Sequence, residues 1–124
     1  MNINQGRFTE LAQAVIDALP DDFRLRMDNI AILIEDRPSR RQLADADLDA
    51  DETLLGLYEG IPLTERTADY GLVLPDRVTL FRLALLDSCA DEAELAEEIR
   101  ITLLHELAHH FGIDDERLVE LGAY

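Results

Sequence analysis

Two histidines four residues apart, His105 and His109, with Glu106 directly after the first, constrain this chain more than any other feature. On an α-helix, residues at i and i+4 lie one above the other, so this spacing lets both imidazoles point at one ion. Glu106 projects about 100° further round the helix, where a carboxylate reaches a water on the open side of the ion without being a ligand. Gly112 and Asp115 extend the pattern to HExxHxxGxxD. The shorter motif occurs by chance in roughly a few of every thousand chains of this length, and the added Gly and Asp lower that about a hundredfold. The segment must therefore be a helix with one metal-binding face, and the rest of the fold has to be built around it.

The helix has readable ends. Asp91, with Glu94 three residues on, makes a capping-box-like start. The helix then runs from about Glu92 to Phe111, with Leu95, Ile99, Leu103 and Leu107 toward the core. Gly112 suits a left-handed C-cap. Leu103, Leu104, Leu107 and Ala108 supply a dry wall beside the histidines. Asp115 beyond the turn is the expected third ligand, completing a three-ligand site with a fourth position for water, as in catalytic zinc centres. The competing role for Asp115 or Asp114 is capping a short final helix over 115–121. Asp114 and Glu116 are the remaining carboxylates that could ligate. His110 lies about 100° away from His109 and is left to packing or to the surroundings of the ion. Tyr58, Tyr70 and Tyr124 are candidate oxyanion donors, and spacing selects none of them.

Elsewhere Phe8, Leu11, Ala12, Val15, Ile16 and Leu19 form one helical stripe over 6–19, and Pro20 followed by Asp21 and Asp22 ends it. Ile30–Ile34 predicts a short buried strand, and Leu54–Glu59 and Arg77–Arg82 two more. The polar stretch 38–51 predicts a surface loop, and Gly60, Pro62, Gly71 and Pro75 predict turns. Strands grouped between helices predict an α+β fold: a small mixed sheet of three to four strands, an N-terminal helix and a C-terminal active-site helix in a single domain over 1–124.

With 124 residues there is material for one core. Net charge is −16, from 27 acidic and 11 basic residues, which disfavours nucleic acid and anionic membrane as partners. Cys89 is the single cysteine, so neither a disulfide framework nor a thiolate zinc site is expected. No basic and apolar leader pattern opens the chain and no run approaches the ~20 apolar residues of a membrane span, so a cytoplasmic setting is the expectation.

The motif resembles that of the zincins, and the spacing to Asp115 is similar to the metzincin pattern with Asp in place of the third His. Methionine occurs only at Met1 and Met27, and nine residues follow Asp115, so neither a metzincin Met-turn nor a C-terminal subdomain is expected. The segments 54–60 (LLGLYEG), 74–81 (LPDRVTLF), 98–112 (EIRITLLHELAHHFG) and 117–122 (RLVELG) resemble a bacterial family of minimal zincin-like metallopeptidases, over most of the chain from about Phe23 onward. That resemblance implies a minimal zincin fold, one Zn2+ at His105, His109 and Asp115, and Glu106 as general base; a peptide or protein substrate is the expectation from the motif, as metal-activated water attacks a polarised peptide carbonyl. Val78–Arg82 is the expected edge strand for aligning that substrate, being nearest in sequence to the active-site helix. Two other readings compete. One is an acidic protein-binding module in which the metal only pins the C-terminal helix. The other is phosphodiester hydrolysis, which the absence of a Lys/Arg cluster disfavours.

Overall fold

The computed structural model describes residues 2–46, 54–60 and 76–123. Tyr70, Tyr124, the turn residues Pro62, Gly71 and Pro75, and positions 47–51 of the expected loop lie outside them. Helix α1 spans Gln5–Asp17, capped by the Asn4 side chain, which accepts from the Arg7 N–H at 2.8 Å. The periodic stripe turns inward as expected: Phe8, Ala12 and Leu19 are buried, and Leu11, Val15 and Ile16 pack against the same core. A short helix α2 (Asp21–Arg24) and a 3-10 turn (Leu25–Asn29) then lead into strand β1, Ile30–Glu35.

The sheet has strand order β1-β3-β2, where β2 is Gly56–Glu59 and β3 is Asp76–Phe81. β3 pairs parallel with β1 and antiparallel with β2, so the sheet is mixed, as the pattern of elements predicts. The order corrects two expectations. β1 is an edge strand and only half-buried, with Leu33 at 41% exposure, because its apolar run is covered on one side alone. β3 is the central strand, bonded on both sides, so Val78–Arg82 has no free edge on which to align a peptide. Proximity in sequence to the active-site helix was a poor guide, because strand order is set by tertiary pairing.

The expected loop over 38–51 contains a helix, α3 (Arg40–Asp45). Ser39 accepts from the Gln42 N–H at 3.1 Å, and Gln42 Oε1 accepts from the Ser39 N–H at 2.8 Å. This reciprocal box satisfies two helix-end donors and starts a helix that has little apolar periodicity, with Leu43 as its buried residue. After β3 the chain turns directly into α4 (Arg82–Asp87), which buries Ala84 and Leu85.

The long helix α5, Glu92–Phe111, agrees with its expected limits. Asp91 caps it through a 2.9 Å bond from the Glu94 N–H, and Gly112 ends it at φ 66°, a conformation that costs a residue without Cβ nothing. Leu95, Ile99, Leu103, Leu104 and Leu107 are fully buried, in one cluster with Phe8 and Ala12 of α1, Tyr58 of β2, and Val78 and Leu80 of β3. The final helix α6, Asp115–Glu120, is held by fully buried Leu118 and by a two-bond fork from Arg117 to Asp22 at 3.1 and 3.2 Å. The Arg117 hydrogen bonds, more than the neighbouring charges, hold the Asp22 carboxyl below its ordinary range. Arg100 of α5 donates to the Leu121 carbonyl at 3.0 Å and ties down the end of α6.

One close approach sets the distance between sheet and helix. A Cβ added at Gly56 would lie 2.6 Å from Cγ2 of Thr102 on α5, closer than carbon atoms pack. Gly56→Ala is therefore expected to destabilise the fold by about 1–3 kcal/mol through overpacking. Thr102→Ser removes that methyl while keeping the hydroxyl, so the double variant should recover most of the loss in a urea titration. Additive losses would show that the two residues do not meet.

Candidate active site

His105, Glu106 and His109 sit in the last two turns of α5, past its buried middle, so their backbone is held by the core below. His105 and Glu106 are half-buried and His109 is exposed, while Leu104, Leu107 and Ala108 close the inner wall as the sequence predicts. The two imidazoles approach edge to face, with ring centroids 6.2 Å apart and planes at 80°. Two imidazoles on one tetrahedral ion, with bonds of about 2.0–2.1 Å, have centroids about 5 Å apart. The observed pair is within reach of that spacing by side-chain rotation, with no change in the helix. Neutral nitrogen donors of this kind fit zinc.

Glu106 is anchored by a contact that no spacing rule announces. Its Oε1 accepts from the backbone N–H of Tyr58 at 2.9 Å. The reason lies in the ladder. The Phe81 N–H donates to the Leu55 carbonyl at 3.0 Å, and in an antiparallel pair bonding residues alternate, so Leu57 faces β3 and the N–H of Tyr58 points outward. That outward edge meets α5, and the carboxylate fills it. Bonded through Oε1, Glu106 keeps Oε2 for other work.

Tyr58 itself is buried and enclosed. Its ring stacks on His110 at 3.9 Å and 18°, Phe111 meets it edge-on at 6.0 Å, and its hydroxyl donates to Oδ2 of Asp76. With that proton committed to Asp76, the Tyr58 hydroxyl is not offered to a substrate oxygen as the sequence allowed. Arg26 lies over the Phe111 ring at 5.0 Å and closes this end of the helix.

Beyond the turn, the cap of α6 is Asp114, whose Oδ1 accepts from the Arg117 N–H at 3.1 Å. Asp115 is the next residue, exposed in the first turn, and has no part in the cap. Among the described residues, no three histidine, cysteine or carboxylate side chains are gathered at metal-binding distance. The structure thus places His105 and His109 side by side on one face of α5, with no third such side chain grouped with them among the described residues. A cavity of about 440 Å³ lies between the sheet and α3, lined by Glu35, Gln42, Glu59, Arg77 and Thr79 among others, away from the histidines. Sequence reasoning missed Gly56 and the Tyr58 amide. The one available signal was a glycine inside a strand, which often marks a close backbone approach.

Residues 27–123 match the sequence profile of the zincin-like metallopeptidase family. The chain belongs to that family. The matched region includes all three strands of the sheet, the whole of α5 and the motif on it, so the HExxH helix is carried by a zincin-like fold. No curated protein matches the chain. Among solved structures it is similar to a conserved hypothetical protein of T. thermophilus, with a TM-score of 0.57 and 22% identity over 88% of this chain and 94% of the other. That likeness supports the fold of the zincin-like domain over nearly its whole length. No described helix is long and apolar enough to cross a membrane.

Proposed function

We propose that this zincin-like protein hydrolyses peptide bonds, with a zinc ion held by His105, His109 and Asp115 and with Glu106 as general base. The observation that carries the reading is the pairing of His105 and His109 on one helix face with a Glu106 carboxylate that, among the described residues, is anchored through Oε1 alone. Bound there, zinc would polarise the scissile carbonyl and lower the pKa of water. Glu106 takes the proton of the attacking water on Oε2 and returns it to the leaving amine. The inner wall of Leu104, Leu107 and Ala108 excludes water behind the histidines.

Asp115 is assigned as third ligand on the spacing of the motif, and on Asp114 having taken the cap. The test separates the two. Purified protein should hold one zinc per chain and cleave members of a broad peptide library, with activity lost to a chelator and restored by zinc. Asp115→Ala should lower zinc occupancy by at least tenfold at limiting metal. Asp114→Ala should keep the zinc and lose about 1 kcal/mol of stability with its cap. Full zinc in Asp115→Ala would remove Asp115 from the site. Stoichiometric zinc without cleavage of any library member would defeat the peptidase reading in favour of a metal-stabilised binding module.

A further inference from the structure

His110 is the one histidine of the motif helix that the proposed reaction does not use. It nevertheless makes the closest ring contact of the site. Thr102, Glu106 and His110 are spaced four residues apart, so they form one row along α5, beside the row of His105 and His109. β2 runs along this row in register. Gly56 backs onto Thr102, the Tyr58 N–H meets Glu106, and the Tyr58 ring meets His110. Two of these three contacts flank the third. The Gly56 contact limits how closely the strand can approach, and the ring stack keeps it from lifting away. His110 is itself exposed, so its stack on a buried tyrosine is not a demand of core packing.

We infer that His110 is a positioning residue for Glu106: stacked on Tyr58, it clamps β2 to α5 so that the Tyr58 N–H stays on Oε1 and Oε2 stays directed to the reacting water. The inference rests on the reading of Glu106 as general base. The clamp acts through the face of the ring and involves no proton transfer by the imidazole. A planar aromatic ring should therefore replace it, and a methyl group should not.

Hydrogen exchange of the Tyr58 amide, followed by NMR in metal-free protein, reports the clamp with no reference to catalysis. Glu106→Ala should speed that exchange about tenfold or more, since the acceptor is gone. His110→Ala should speed it about three- to tenfold, the range expected for one aromatic stack. Amides of Leu103 and Leu104 should keep their protection, showing that α5 remains folded. His110→Phe should return the Tyr58 amide to within about twofold of wild type. In zinc-loaded protein, His110→Ala should lower kcat for peptide cleavage about tenfold with KM and zinc content little changed, and His110→Phe should restore kcat. An unchanged Tyr58 amide in His110→Ala, or no rescue of exchange or kcat by phenylalanine, overturns the proposal. A wild-type protein that cleaves no peptide defeats the peptidase reading instead, and the amide rates still decide the clamp.

Discussion

Glu106→Gln is expected to leave one zinc per chain in place while lowering kcat/KM for peptide cleavage by about 10²- to 10⁴-fold, the usual contribution of a positioned general base. Glutamine has the same shape, and its amide oxygen can still accept from the Tyr58 N–H that Oε1 accepts from now, at 2.9 Å. β2 should thus stay seated on α5, and urea unfolding should shift by less than about 1 kcal/mol, the typical worth of one hydrogen bond. What the substitution removes is a carboxylate able to hold a proton in turn for water and for the leaving amine. Metal analysis, unfolding and kinetics on the same preparation distinguish this loss from damage to the site. A variant that keeps its zinc and cleaves within tenfold of wild type would show that Glu106 is not the base.

The largest expected effect on stability comes from the wall behind the histidines. Leu107 is fully buried in the core cluster and lies two residues before His109 on α5. Leu107→Ala is expected to cost about 2–5 kcal/mol, from lost transfer energy and the cavity left behind. Small domains have only about 5–15 kcal/mol in total, so the variant should unfold at markedly lower urea. Zinc should give back part of the loss, about 2.7 kcal/mol at a hundredfold excess over Kd, because it binds the folded site and not the open chain. In His109→Ala the zinc-dependent increment should vanish, since one of the two nitrogen donors on the helix is gone. A Leu107→Ala protein within about 1 kcal/mol of wild type would mean that the wall can collapse around the missing side chain.

Much of this protein is legible from the order of its residues wherever the interactions involved are local. The limits of α5 follow from Asp91 and Gly112, because a side-chain cap and a left-handed turn are decided within a few positions. The inward stripe of α1 follows from a period of 3.6. The helix α3 was also written locally, in Ser39 and Gln42, but its polar composition concealed it behind the signals of a loop. Strand order was not written anywhere locally. β1 carries the most β-branched run and is an edge strand, whereas β3 lies in the centre because β1 and β2 both pair with it.

The candidate site divides along the same line. That His105 and His109 share a face, with Glu106 one step round the helix, was determined by the sequence alone, because helix geometry is a property of consecutive residues. What holds Glu106, and through which oxygen, was decided by tertiary structure. The N–H of Tyr58 is 48 residues away in the chain, and it points outward only because β2 pairs with β3 in this register. The same packing brought Gly56 to Thr102 and His110 to Tyr58, contacts between residues that carry no mutual signal until strand and helix are laid together.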